Sequence, residues 1–110
     1  MEITLNRAWF TQIASLLVQP KYKYAHRSAE IADYISAEMR AAMDARVVTI
    51  WFDDDASLHI ADVLRTEIFE RNVGTLYGPN IGHYLNLLVD LANNIDGQIA
   101  DLLVYEEIKY

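Results

Sequence analysis

The sequence predicts an α+β fold in one compact domain spanning 1–110. We expect about four helices and a small antiparallel sheet of two or three strands around residues 47–52. Three observations lead there. Apolar residues recur at helical spacing over most of the chain. One short run, Val47 to Phe52, is instead rich in β-branched and aromatic residues. The 110 residues are 53% apolar and include no cysteine, so the core must form without disulfides. The alternative is an all-α bundle, in which 47–52 is a buried helical segment.

Residues 2–5 (Glu2, Ile3, Thr4, Leu5) alternate polar and apolar, the period of a short strand. Asn6 is a good N-cap for a first helix ending before Pro20. Its apolar face is Trp9, Phe10, Ile13, Leu16 and Leu17. Pro20 to Tyr24 reads as a connector, with tyrosines lying over the core. A second helix runs from about Tyr24 or Ala25 to Asp44 and buries Ile31, Ile35, Met39, Ala42 and Met43.

Val47 to Phe52 is apolar on both faces apart from Thr49, which predicts a strand covered on both sides. Two readings stand for 58–62. One is the return strand of a hairpin after an Asp53–Ser57 turn. The other is a helix capped by Ser57, with Ile60, Ala61, Leu64, Ile68 and Phe69 on its buried face. Asp62 to Asn72 is helical in both. Val73 to Asn80 holds Gly74, Gly78 and Pro79 and reads as a loop, with Asn80 capping the last helix. There Ile81, Leu85, Leu88, Ala92, Ile95, Ile99 and Leu102 alternate steps of four and three, a helix-packing seam. Asn94, Asp96 and Gly97 are positions for a kink or break. The tail from Val104 reads as a fraying helix end or a short strand.

Charge is unevenly spread. Residues 1–46 carry six Lys/Arg against five Asp/Glu, and residues 47–110 carry three against eleven. The second part repels nucleic acid and attracts basic protein surfaces. No apolar run approaches the roughly 18 residues of a membrane span, and no basic-then-apolar leader opens the chain. We expect a cytoplasmic protein.

Asp53, Asp54 and Asp55 are the most conspicuous polar cluster. Counted as a calcium loop from Asp53, the glycine position is Leu58 and the final glutamate position is Leu64, so an EF-hand is excluded. His26, His59 and His83 lie in three separate segments with no paired-histidine spacing. No nucleophile elbow or glycine-rich phosphate loop is present. We therefore expect no catalytic, cofactor or metal residues. The function expected is a non-enzymatic protein-binding module. Asp53, Asp54, Asp55, Asp62, Glu67 and Glu70 would dock on a basic, nucleic-acid-binding surface of a larger partner. Such a protein would act as an inhibitor or nucleic-acid mimic, as small phage-encoded anti-defence proteins do. One alternative is a homo-oligomeric assembly protein joined through Leu85, Leu88, Ala92, Ile95, Ile99 and Leu102. Another is a small metal-dependent hydrolase built on Asp53, Asp55 and His59, with Asp53 and Asp55 on one face if 53–55 is extended.

Overall fold

A computed structural model describes the backbone of residues 1–22, 27–74 and 81–103, and the side chains of these except 71–74 and 81–84. In order it comprises β1 (Glu2–Asn6), α1 (Arg7–Leu17), a 3-10 turn (Pro20–Tyr22), α2 (Ser28–Ala41), β2 (Val47–Trp51), α3 (Asp54–Gly74) and α4 (Ile81–Gln98). The fold is α+β, mostly helical, with a two-stranded antiparallel sheet. The chain divides into two compact units, Met1–His59 and Ile60–Tyr110, with the boundary inside α3.

In the first unit, β1 and β2 pair with Glu2 opposite Trp51, Thr4 opposite Thr49 and Asn6 opposite Val47. Both strands alternate exposed and buried residues. Ile3, Leu5, Val48 and Ile50 point inward, and the Thr4 and Thr49 hydroxyls hydrogen-bond at 2.8 Å on the outer face. The sheet is therefore covered on one side only, which corrects the expectation of a doubly covered strand. Val47 and Trp51 face outward and are exposed. Phe52, just past β2, is buried and meets Phe10 of α1 and Tyr34 of α2 with ring centroids 6.4 and 5.7 Å apart.

Asn6 caps α1 as expected, its side chain accepting the Ala8 N–H at 2.9 Å. Phe10, Ile13, Leu16 and Leu17 are buried, and α1 packs on α2. The described part of α2 is shorter than the sequence pattern suggests, because Met43 adopts a left-handed φ of 57° and turns the chain out of the helix. Ile31 and Ile35 are buried, but Met43, expected in the same stripe, is 76% exposed. Arg7 secures this turn from a distance. Its guanidinium donates to the carbonyls of Ala45 (2.8 Å), Met39 (3.0 Å) and Met43. The Met39 carbonyl is one of those left unpaired at the end of a helix. Residues 23–26, including Lys23 and Tyr24 of the expected connector, lie outside the described residues.

Residues 54–74 form one helix, so the hairpin reading of 58–62 is excluded. The helix starts earlier than Ser57. Asp53 is the cap, and Ser57 is buried within the helix, its Oγ without a hydrogen-bond partner among the described residues. Ile60, Ala61 and Leu64 are buried as expected, but Phe69 is 71% exposed. At about 100° per residue, Phe69 lies roughly opposite Ile60, whereas Glu67 falls beside Ile60 and Leu64. Glu67 takes the buried position, with 0% exposure.

In the second unit, α4 buries Leu88, Leu91, Ala92, Ile95 and, just after it, Ile99. A turn at Ile99 separates α4 from a further helical stretch, residues 100–103. Asn94, Asp96 and Gly97 do not break α4. Val73 and Gly74 belong to α3, while 75–80, with most of the expected loop and Asn80, and 104–110 lie outside the described residues.

Candidate functional site

The candidate site forms where β2 hands over to α3, beside the start of α2. Strand alternation sends Trp51 outward and leaves it 58% exposed. The strand ends because Asp53 turns the chain into a helix. Asp53 Oδ1 accepts the Ala56 N–H at 2.7 Å, satisfying one of the unpaired donors of the first helical turn. The same oxygen accepts from Arg27 Nη1 at 3.0 Å. Arg27 holds a left-handed φ of 75° immediately before α2, and its Nε lies 3.9 Å from Glu30 on the next turn. Tyr34, two helical turns into α2, donates its hydroxyl to the Trp51 carbonyl at 2.6 Å. Its ring meets Phe52 edge-on at 84°. Between these residues lies an open groove of about 250 Å³, with aromatic walls from Tyr34, Trp51 and Phe52 and charged walls from Arg27, Glu30 and Asp53.

The electrostatics follow from this geometry. The hydrogen bond from Arg27, then that from the Ala56 amide, hold the Asp53 carboxyl below the usual aspartate range. The same hydrogen bond raises Arg27. Partial burial, then the charge of Glu38, raises the Tyr34 hydroxyl. Asp54 and Asp55 occupy the exposed first turn of α3. There the partial positive charge of the helix start stabilises carboxylates. Mutual repulsion within the triplet is thus offset by the cap, the helix start and Arg27.

The six carboxylates expected to dock a partner do not all reach the surface. Asp54, Asp55, Asp62 and Glu70 are exposed and Asp53 is half-buried, but Glu67 is buried and leaves the set. Asp62 lies 3.8 Å from Arg65, which also reaches Asp96 of α4 at 3.2 Å.

The extended geometry behind the metal-hydrolase reading is absent, because Asp54 and Asp55 are helical and Asp53 is their cap. His59 Nε2 lies 2.6 Å from Ser28 Oγ. Among the described residues, no group of three His, Cys, Asp or Glu side chains is placed to hold a metal. The Ser28–His59 pair has the spacing of a nucleophile and its base. Ser28 is only 1% exposed, however, so a substrate has no approach to its hydroxyl. The pair satisfies a buried hydroxyl.

The seam expected to join subunits is largely buried within the chain. Leu88, Ala92, Ile95 and Ile99 are buried, and Leu85 and Leu102 are half-buried. Burial within the chain takes up the four central positions of the seam and leaves Leu85 and Leu102 partly accessible. Tyr77, Tyr84, Tyr105 and Tyr110, which add aromatic character to the acidic part of the sequence, lie outside the described side chains.

Sequence reasoning missed Arg27, Tyr34 and the outward face of Trp51. Thr49 was the available signal for Trp51. A polar residue in the middle of an apolar strand marks the outer face and carries Val47 and Trp51 with it. Arg27 and Tyr34 had no comparable local signal.

The fold and this groove define a small, mostly helical α+β protein with an acidic, aromatic surface. Comparison with protein-family models, curated proteins and solved structures finds no match. Among the described residues, no helix is long and apolar enough to cross a membrane.

Proposed function

We propose that this protein is a non-enzymatic binding module that docks an acidic surface on a basic surface of a larger partner. The observation that carries the reading is the start of α3. Asp54 and Asp55 are exposed there, beside an Asp53 whose cap and ion pair hold the turn in place. Asp62 and Glu70 add exposed carboxylates along the same helix. A rigidly presented cluster binds opposite charge at a lower entropic cost than a flexible one.

The basic surfaces that fit best are those that hold nucleic acid, since they already present Lys and Arg to a row of anions. A protein occupying one would act as an inhibitor by mimicry, in the manner of a phage-encoded anti-defence protein. The chain's net charge of −7 supports attraction to such a surface and direct repulsion from nucleic acid itself.

The test is binding to a poly-lysine surface across salt concentration. Exposed charges are screened beyond about 10 Å at 0.1 M salt, so raising salt from 50 to 500 mM should weaken binding at least tenfold. The triple neutralisation of Asp54, Asp55 and Asp62 to asparagine should have a similar effect while leaving the Asp53 cap intact. Binding indifferent to both changes would refute the electrostatic reading.

A further inference from the structure

The groove beside Trp51 has a charge and shape that the acidic surface alone does not explain. Trp51 leaves a large aromatic ring in water on the open face of the sheet, an arrangement typical of a contact surface. The groove beside it is preformed. Tyr34 is tethered to the Trp51 carbonyl at one end and packed edge-on against Phe52 at the other.

Its rim is acidic. Glu2 stands directly across the sheet from Trp51 on the same exposed face. Glu30 lines the groove, and Asp53 closes it. Arg27, the one cation among the described lining residues, already donates to Asp53 at 3.0 Å. An anion would meet this excess of carboxylates, and an apolar side chain would desolvate them without compensation. A cation gains from both the carboxylates and the aromatic face.

We infer that the groove accepts an arginine side chain from the basic partner, its guanidinium lying on the Trp51 indole with Glu30 and Glu2 at its edges. This rests on the acidic-docking reading and adds an anchor to it. About 250 Å³ has room for one long side chain and too little for a folded segment. Arginine suits the site better than lysine because a planar guanidinium stacks on an indole and still offers donors in its own plane to flanking carboxylates. Glu30 is free to turn toward it. Its contact with Arg27 is long, at 3.9 Å, and largely exposed, so little holds it in place.

The experiment uses the full chain with Trp9→Phe, which makes Trp51 the single tryptophan. Its emission is followed during titration with hexa-arginine and, separately, hexa-lysine. The expected result is a saturable change in Trp51 emission and tighter binding of hexa-arginine than of hexa-lysine. Binding followed by calorimetry should fall about fivefold or more in Trp51→Ala, within the range of one cation–π contact. Glu30→Lys, an exposed helical substitution, should weaken hexa-arginine binding in the same direction whether or not Trp51→Ala stays folded.

Equal affinity for the two peptides would overturn the stacked arginine. So would unchanged binding in both variants. If those variants bind normally while the Asp54→Asn, Asp55→Asn double variant does not, the anchor fails and the acidic surface stands. If the parent protein binds neither peptide, the acidic-docking reading falls as well.

Discussion

Arg7 ties together parts of the first unit that are far apart in sequence, and removing it gives a prediction with a calculable size. Its guanidinium spans 32 to 38 residues to reach the carbonyls of Met39, Met43 and Ala45. A hydrogen bond from a charged donor contributes about 1.5–3 kcal/mol when shielded from water, and an ordinary exposed one about 0.5 kcal/mol. The Met39 bond is part-buried and belongs to the first class, while the bonds to Met43 and Ala45 are exposed and water can replace them. Arg7→Ala should therefore destabilise the protein by about 2–3 kcal/mol. That is a large share of the roughly 5–15 kcal/mol expected for a chain of this size. Melting followed by far-ultraviolet circular dichroism should drop by roughly 10–15 °C. Arg7→Lys keeps the charge but not the fork that reaches three carbonyls, and should recover about half of the loss. If Arg7→Ala melts within about 3 °C of the parent, the clamp carries no weight and this account of the α2 end is wrong.

Three further predictions follow from the same geometry. The folded Asp53 carboxyl titrates below its unfolded counterpart, so its contribution is complete above the ordinary aspartate value of about 4 and fades as pH falls through the lower folded value. The melting-temperature advantage of the parent over Asp53→Asn, which can still cap α3, should accordingly be present at pH 7 and shrink below about pH 4. An advantage that grew on acidification would contradict the ion pair. Gly97 is exposed in α4, and an added Cβ would meet no atom within 4 Å. Gly97→Ala should stabilise the protein by about 0.5–1 kcal/mol in urea denaturation. Leu88→Asp places a charge at a 1% exposed position and should unfold the protein. A folded monomer replacing a dimer, seen by light scattering, would instead support a subunit-joining role for the α4 seam.

Local structure was largely legible in the residues themselves. The alternation in 2–5, the Asn6 cap, the α1 face from Phe10 to Leu17 and the Val47–Trp51 strand all follow from preferences acting within one or two turns of chain. The apolar spacing of α4 was equally clear, but its use was not. A buried core seam and a subunit interface have the same pattern in sequence. Only the fold shows Leu88, Ala92, Ile95 and Ile99 enclosed.

The aspartate triplet marks the same limit. Adjacent carboxylates suit a solvated turn, an extended pair or a helix start, and residues 53–55 alone do not choose among them. The choice follows from Arg27 reaching Asp53 across 26 residues and from Asp53 satisfying the first turn of α3. Glu67 and Phe69 show it most sharply. Hydropathy favours burying the phenylalanine, yet the register of α3, established by Ile60 and Leu64, buries the glutamate. The residue types determined which segments are helix and strand, because those preferences are local. Which face is covered, which carboxylates remain at the surface and where the aromatic groove opens were decided by contacts across dozens of residues, which only the tertiary structure brings together.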